Sequence, residues 1–322
     1  MGKAALSKYT LFSILFILIL IYKVYSIDLV SDNLNYYNVY NNIENDSMPF
    51  KFEFILSLLM YISNFIGMDF YIFTFIKVIT FLPIIIIVDR NISKKNNIYS
   101  YLFLFTFISP PMIGTLIFLA RQSLSLEVFL LVTTIKSFNK RILLIVIMFF
   151  CHMGSILWVP ILLGYKKLFT VLNSKLFWLL SLLILAGAVI TGMDLTRLVI
   201  QYLATFNNLP GFIMSNLARK RDFYVLHELT EFDTLSILNT IVSVIPVVFF
   251  ILFVSLKKIE NFTVHCLCAL YSLSFFLFSL FYNNSIFATR VGFISYFFGV
   301  QYLFLFIYLV YLIKNNVYKK DS

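Results

Sequence analysis

The sequence predicts an all-α, polytopic integral membrane protein folded as a single transmembrane domain over residues 1–322. Two observations carry that expectation. Of the 322 residues, 61% are hydrophobic and the mean hydropathy is +0.93, well beyond the composition of a soluble domain. Apolar runs close to the roughly 20 residues that a helix needs to cross a bilayer recur along the whole chain. Cys151, Cys266 and Cys268 all sit inside such runs, which fits packing rather than a disulfide framework or a metal site. There is no Gly-rich P-loop, dinucleotide fingerprint, HExxH or Cys/His metal spacing, so no cofactor and no nucleic acid is expected.

The first run lies within 6–27 and follows a basic start at Lys3 and Lys8. No small-x-small cleavage site follows it, so it reads as an uncleaved first span. Further full crossings are expected over about 70–89, 97–118, 119–137, 175–192, 234–256, 262–282 and 288–313, roughly eight in all. Two segments fit less well. Residues 50–66 are short and partly polar, and 142–164 is interrupted by "CHMGS".

The basic residues set the sidedness. With both termini cytoplasmic, most of the 25 Lys and Arg fall on one face, among them Lys8, Arg90, Lys140, Arg141, Lys166, Lys167 and Lys314. The other face holds Lys51, Arg197, Arg219, Lys220 and Arg221. Segment 142–164 is then entered and left on the same face. At about 1.5 Å per residue it cannot cross a ~30 Å core twice. A re-entrant or broken hairpin with His152, Met153, Gly154 and Ser155 at its tip reconciles these facts. The competing reading is one ordinary span with Lys166 and Lys167 outside. Two outward loops follow from the topology, 28–50 and 193–233.

Several polar residues stand where lipid would penalise them. Arg121, in "FLARQSLSLEVFLL", is a planar cation suited to clamping a phosphate bidentately, followed by Gln122 and Ser125. The competing role is an arginine reaching to the headgroups. His152 is a candidate base or anion ligand, or a hydrogen-bonded packing residue. Asp32 with Tyr36, Tyr37 and Tyr40 forms a carboxylate and aromatic cluster suited to sugar hydroxyls and ring faces, although Tyr is also an ordinary interface residue. Glu53 heads the short segment and would line the same cavity. Arg290, Arg219 and Arg221 complete a set of outward cations able to hold a diphosphate, or else form an unliganded rim. Lys77 and Glu127 look more deeply placed and take either a structural or a substrate role.

In chain order these elements resemble the EpsG-like, Wzy-type polysaccharide polymerases of bacterial envelopes. The likeness rests on Asp32 with Tyr36 and Tyr40 after the first span, "FKFEFILSLL" with Glu53, "LARQSLSLEVFLL" with Arg121, "FFCHMGSIL" with His152, and "TRVGFISYF" with Arg290. The histidine element departs from that family's His-x-Ser by one extra residue between His152 and Ser155. The resemblance implies a GT-C-like membrane glycosyltransferase of the bacterial cytoplasmic membrane. Its substrate would be an undecaprenyl-diphosphate-linked oligosaccharide, polymerised at the outer face with lipid diphosphate as leaving group. It would work among membrane lipids and with a possible chain-length regulator. On that reading Arg121 and Arg290, assisted by Arg219 and Arg221, hold the diphosphate. His152 or Asp32 is the base, and Tyr36, Tyr40 and Glu53 meet the sugar. The alternatives are a flippase of the same lipid-linked sugars, an O-antigen ligase, or a non-catalytic assembly partner. A flippase would show internal pseudo-symmetry, and no repeat is visible.

Overall fold

The computed structural model describes residues 3–29, 31–43, 54–92, 97–164, 166–192, 195–204, 234–256 and 259–315. Among them every regular element is helical. In chain order the helices are α1 Lys3–Tyr25, α2 Ser31–Asn41, α3 Phe54–Phe65, α4 Phe70–Ile79, α5 Phe81–Ile92, α6 Ile98–Phe105, α7 Pro110–Phe118, α8 Ala120–Thr134, α9 Phe138–Cys151 and α10 Val159–Leu162. They continue as α11 Lys166–Leu172, α12 Lys175–Thr191, α13 Leu195–Ala204, α14 Thr234–Phe253, α15 Phe262–Leu280, α16 Ser285–Val291, α17 Phe293–Phe297 and α18 Gly299–Lys314. Short 3-10 turns cover Thr106–Ile108 and Met153–Trp158.

Three helices are long and apolar enough to cross a membrane, Ser7–Tyr25, Phe70–Ile92 and Phe262–Leu280. The pair Ile98–Ile108 and Pro110–Phe118, bent by 54°, makes a fourth candidate. Among the described residues, three or four of the expected eight crossings are thus met by helices of sufficient length and apolarity. Hydropathy is summed along the chain and does not register where a helix breaks. Residues 288–313 divide at Gly292 and Phe298, and 119–137 yields only the fifteen-residue α8, about 22 Å long.

The chain forms two compact units. The first comprises Met1–Leu168, Lys257–Cys266 and Ile307–Ser322, and the second Phe169–Leu256 and Leu267–Phe306.

The first unit has two chemically different ends, separated by the length of α4 and α5. At one end Lys8 and Arg90 both lie over the Tyr9 ring, at 4.3 and 4.8 Å. Asn261 donates to the Asn91 carbonyl at 2.6 Å, and the Arg141 guanidinium covers the Phe262 ring. At the other end Tyr36, Tyr40, Phe70, Ala120, Leu124 and Cys151 share one apolar cluster. Residues that the charge rule assigned to one face (Lys8, Arg90, Arg141) thus gather at one end, and Arg121 stands at the other.

Two chain reversals build that second end. The Ser123 hydroxyl donates back seven residues to the Leu116 carbonyl at 3.0 Å. The Ser155 hydroxyl donates back seven residues to the Met148 carbonyl at 3.1 Å. Seven residues of continuous helix span about 10.5 Å, so neither bond can form unless the chain turns back on itself. The turns fall at Leu119, where φ is −95° and ψ 54°, and at His152. The second turn has the shape of a hairpin. A Cβ on Gly164, where the segment leaves, would stand 3.5 Å from the same Phe262 ring that Arg141 covers where it enters. Between them Trp158 meets Phe129, in the middle of α8, edge-on at 5.7 Å.

In the second unit Trp178 stacks on Phe250 at 4.0 Å and against Tyr271 at 5.9 Å, while its indole N–H donates to the Leu172 carbonyl at 2.8 Å. Pro246 lies inside α14, where the missing N–H leaves carbonyls exposed. Tyr271 donates to the neighbouring Ser243 carbonyl at 2.7 Å. That is the way a membrane helix tolerates a proline.

Candidate functional site

The site is assembled from α2, the α7–α8 reversal and the His152 turn, all in the first unit. Residues 31–41, expected in an outward loop, form an ordered helix. It is fixed from both sides. The Tyr40 hydroxyl donates to the Met68 carbonyl at 2.9 Å, and the Asn64 amide donates to the Tyr40 carbonyl at 3.2 Å. Burial, with the Asp69 carboxylate nearby, raises the Tyr40 pKa, so the phenol stays a neutral donor at neutral pH.

Arg121 stands in the first turn of α8, where the leading N–H groups carry the positive end of the helix dipole. Its Nε donates to the Tyr36 hydroxyl at 3.3 Å. The guanidinium is half-buried, while the adjacent Gln122 and Ser125 are buried. Ser125 donates to the Gln122 carbonyl at 2.9 Å, within its own helix. An arginine in the first turn of a helix adds its charge to the positive end of the dipole, a setting that favours an anion.

His152 ends α9 in an extended conformation and remains half-exposed. Its ring lies over Gly154, where a Cβ would stand 2.7 Å from Nε2 and 3.1 Å from Cδ2. The residue that departs from the His-x-Ser pattern is therefore part of the arrangement, since only glycine leaves the imidazole this room. Ser155 is turned away. It is fully buried, and its N–H closes the turn onto the His152 carbonyl at 3.0 Å.

Tyr36 and Tyr40, expected to meet the sugar, do not present open ring faces. Stacking a sugar needs an open ring face, and these side chains are 4% and 1% exposed. Tyr40 packs on Phe70 and Phe73, with centroids 5.8 and 5.3 Å away. The Tyr36 hydroxyl accepts from Arg121. Asp32, half-buried in the first turn of α2, keeps a place on the same helix. Arg290 belongs to the second unit. It lies in the last turn of α16, half-buried, on a helix capped by Asn284 through the Phe287 N–H at 3.0 Å. Glu53, Arg219 and Arg221 lie outside the described residues.

Sequence reading missed the network at the opposite end. Lys8 pairs with Asp89 at 2.6 Å and donates to Ser100 at 2.6 Å. Asp89 further accepts from Tyr9 at 2.9 Å and from Ser100 at 2.7 Å. The available signal was two opposite charges, each inside an expected span. Lys77 and Glu127, left open above, do not join in a direct pair. The Lys77 ammonium donates to the Leu116 carbonyl at 2.9 Å and the Ile117 carbonyl at 3.4 Å. Glu127 accepts from Thr80 at 2.6 Å.

Among the described residues no group of His, Cys, Asp and Glu could hold a metal ion. A family model described as the EpsG family matches residues 8–320, nearly the whole chain. No curated protein and no solved structure matches the chain.

Proposed function

The chain belongs to the EpsG family, and from that premise we propose that it is a polysaccharide polymerase of the bacterial cytoplasmic membrane. It joins undecaprenyl-diphosphate-linked oligosaccharide units at the outer face, with lipid diphosphate as leaving group. Family membership supports the coarse reading, a polymerase-like role in polysaccharide biosynthesis. The observation that supports the finer one is Arg121, held by Tyr36 in the first turn of α8, at the end of the unit where the His152 turn lies.

The chemistry needs those groups. An acceptor sugar hydroxyl attacks the anomeric carbon of the donor as the bond from that carbon to the diphosphate oxygen breaks. The electron pair leaves with the diphosphate, and the hydroxyl proton passes to a base. Charge on the departing diphosphate grows toward the transition state, so a guanidinium and helix N–H groups aimed at it stabilise that state more than the ground state. His152, half-exposed at its turn, is our choice of base, with Asp32 as the second candidate. Arg290 is a separate candidate cation in the second unit, and Arg219 and Arg221 stay in the proposal on sequence grounds alone.

Purified protein in lipid, given an undecaprenyl-diphosphate-linked oligosaccharide, should yield a product ladder at repeat-unit spacing together with free lipid diphosphate, read by mass spectrometry. Movement of the lipid-linked sugar between leaflets without a ladder would reassign the protein to transport.

A further inference from the structure

The α7–α8 reversal carries Arg121, yet nothing in the local sequence explains it. Sharp breaks in helices arise at proline, at glycine, or where a side chain inserts into the hydrogen-bond ladder. Residues 117–122 read Ile-Phe-Leu-Ala-Arg-Gln and contain neither proline nor glycine. What enters the ladder comes from another helix. Lys77 of α4, 5% exposed, places its ammonium on the carbonyls of Leu116 and Ile117. In a continuous helix those carbonyls would accept from the N–H groups of Ala120 and Arg121. Ser123 adds its hydroxyl to the same Leu116 carbonyl.

The charge of Lys77 suits that place. A helix C-terminus is the negative end of its dipole and favours a cation. This also accounts for a buried ammonium whose nearest acid, Glu127, is engaged by Thr80. We propose that Lys77 is a positioning residue. Its ammonium takes over the last carbonyls of α7, holds the reversal at Leu119, and so fixes the turn from which Arg121 reaches a diphosphate. The last clause rests on the diphosphate reading above, while the first two do not.

Two measurements test it, on full-length protein in nanodiscs. The first is amide exchange by mass spectrometry in wild type and Lys77→Met, which keeps the side chain's length and removes its donors. Exchange of the Leu119 and Ser123 amides, which close the turn onto the Thr115 and Leu119 carbonyls, should speed up at least tenfold, with α1 and α15 unchanged. Unchanged exchange at the turn overturns the proposal whatever else is found, and acceleration throughout the chain reduces Lys77 to a general stabiliser and overturns it too. If the single variant does not fold, Lys77→Met with Glu127→Gln removes both charges and carries the same test.

The second measurement is a double-mutant cycle on the affinity for undecaprenyl diphosphate. Lys77→Met should weaken binding about tenfold in the wild-type background and less than twofold in Arg121→Ala, because Lys77 acts through Arg121. Equal losses in both backgrounds overturn the link to Arg121. If Arg121→Ala alone leaves affinity unchanged, the diphosphate reading fails instead, and the exchange result decides whether Lys77 holds the turn.

Discussion

Lys8 and Arg121 are two cations of one compact unit, placed at its opposite ends and in opposite settings. Lys8 is 1% exposed, bonded to a carboxylate and a hydroxyl at 2.6 Å each. Arg121 is half-buried, set in the first turn of a helix and bonded at Nε to the Tyr36 hydroxyl. A buried ammonium matched to a carboxylate has little left to offer a ligand. A guanidinium steadied at Nε beside a helix N-terminus is arranged to meet an anion. The contrast teaches that charge inside an apolar chain does not by itself mark a site.

The largest effect expected from breaking this comparison is structural, at the Lys8 end. Asp89→Ala leaves a buried ammonium without its acid and should cost about 3–5 kcal/mol of stability, read as a lowered Tm in detergent. Lys8→Met together with Asp89→Leu removes both charges and should restore most of that loss. Equal destabilisation by the single and double variants would show that the pair is not what holds that end.

Next in size is Arg121→Ala, expected to lower polymerisation about 100-fold or more while leaving the Tm nearly unchanged, as for loss of one transition-state donor. A smaller effect sharpens the histidine part of the site. Gly154→Ala forces a Cβ into the space of the His152 ring and should reduce turnover about tenfold by tilting the imidazole, a change of roughly 1.4 kcal/mol. Full activity in this variant would show that turnover does not depend on the ring position fixed by Gly154. The smallest is Tyr36→Phe, which takes one hydrogen bond from Arg121 and keeps the ring. A three- to tenfold loss, about 0.6–1.4 kcal/mol, should appear in diphosphate affinity rather than in stability.

What could be read from the sequence follows a physical line. Helical class was legible because apolar run length constrains it. The grouping of Lys8, Arg90 and Arg141 at one end was legible because basic residues are distributed by side. The broken character of 142–164 could be inferred from charge bookkeeping and the rise per residue, and the chain does turn at His152. Breaks at Leu119, Gly292 and Phe298 were not legible. A hydropathy sum does not see them, and at Leu119 the cause, Lys77, lies more than forty residues earlier in the chain. Nor could the sequence show that Tyr36 and Tyr40 are buried. A tyrosine at an interface and a tyrosine beneath one have the same local signature, and only the packing of α2 separates them.

The most direct test of the central claim compares the two ends in one assay. Purified wild type, Arg121→Ala, and the Lys8→Met and Asp89→Leu double variant are brought to equal folded concentration in lipid. Each is given undecaprenyl-diphosphate-linked oligosaccharide, and released lipid diphosphate is measured over time. The account predicts near wild-type release from the double variant and about one-hundredth or less from Arg121→Ala. Normal release from Arg121→Ala, or its loss only when the Lys8 end is altered, would contradict it.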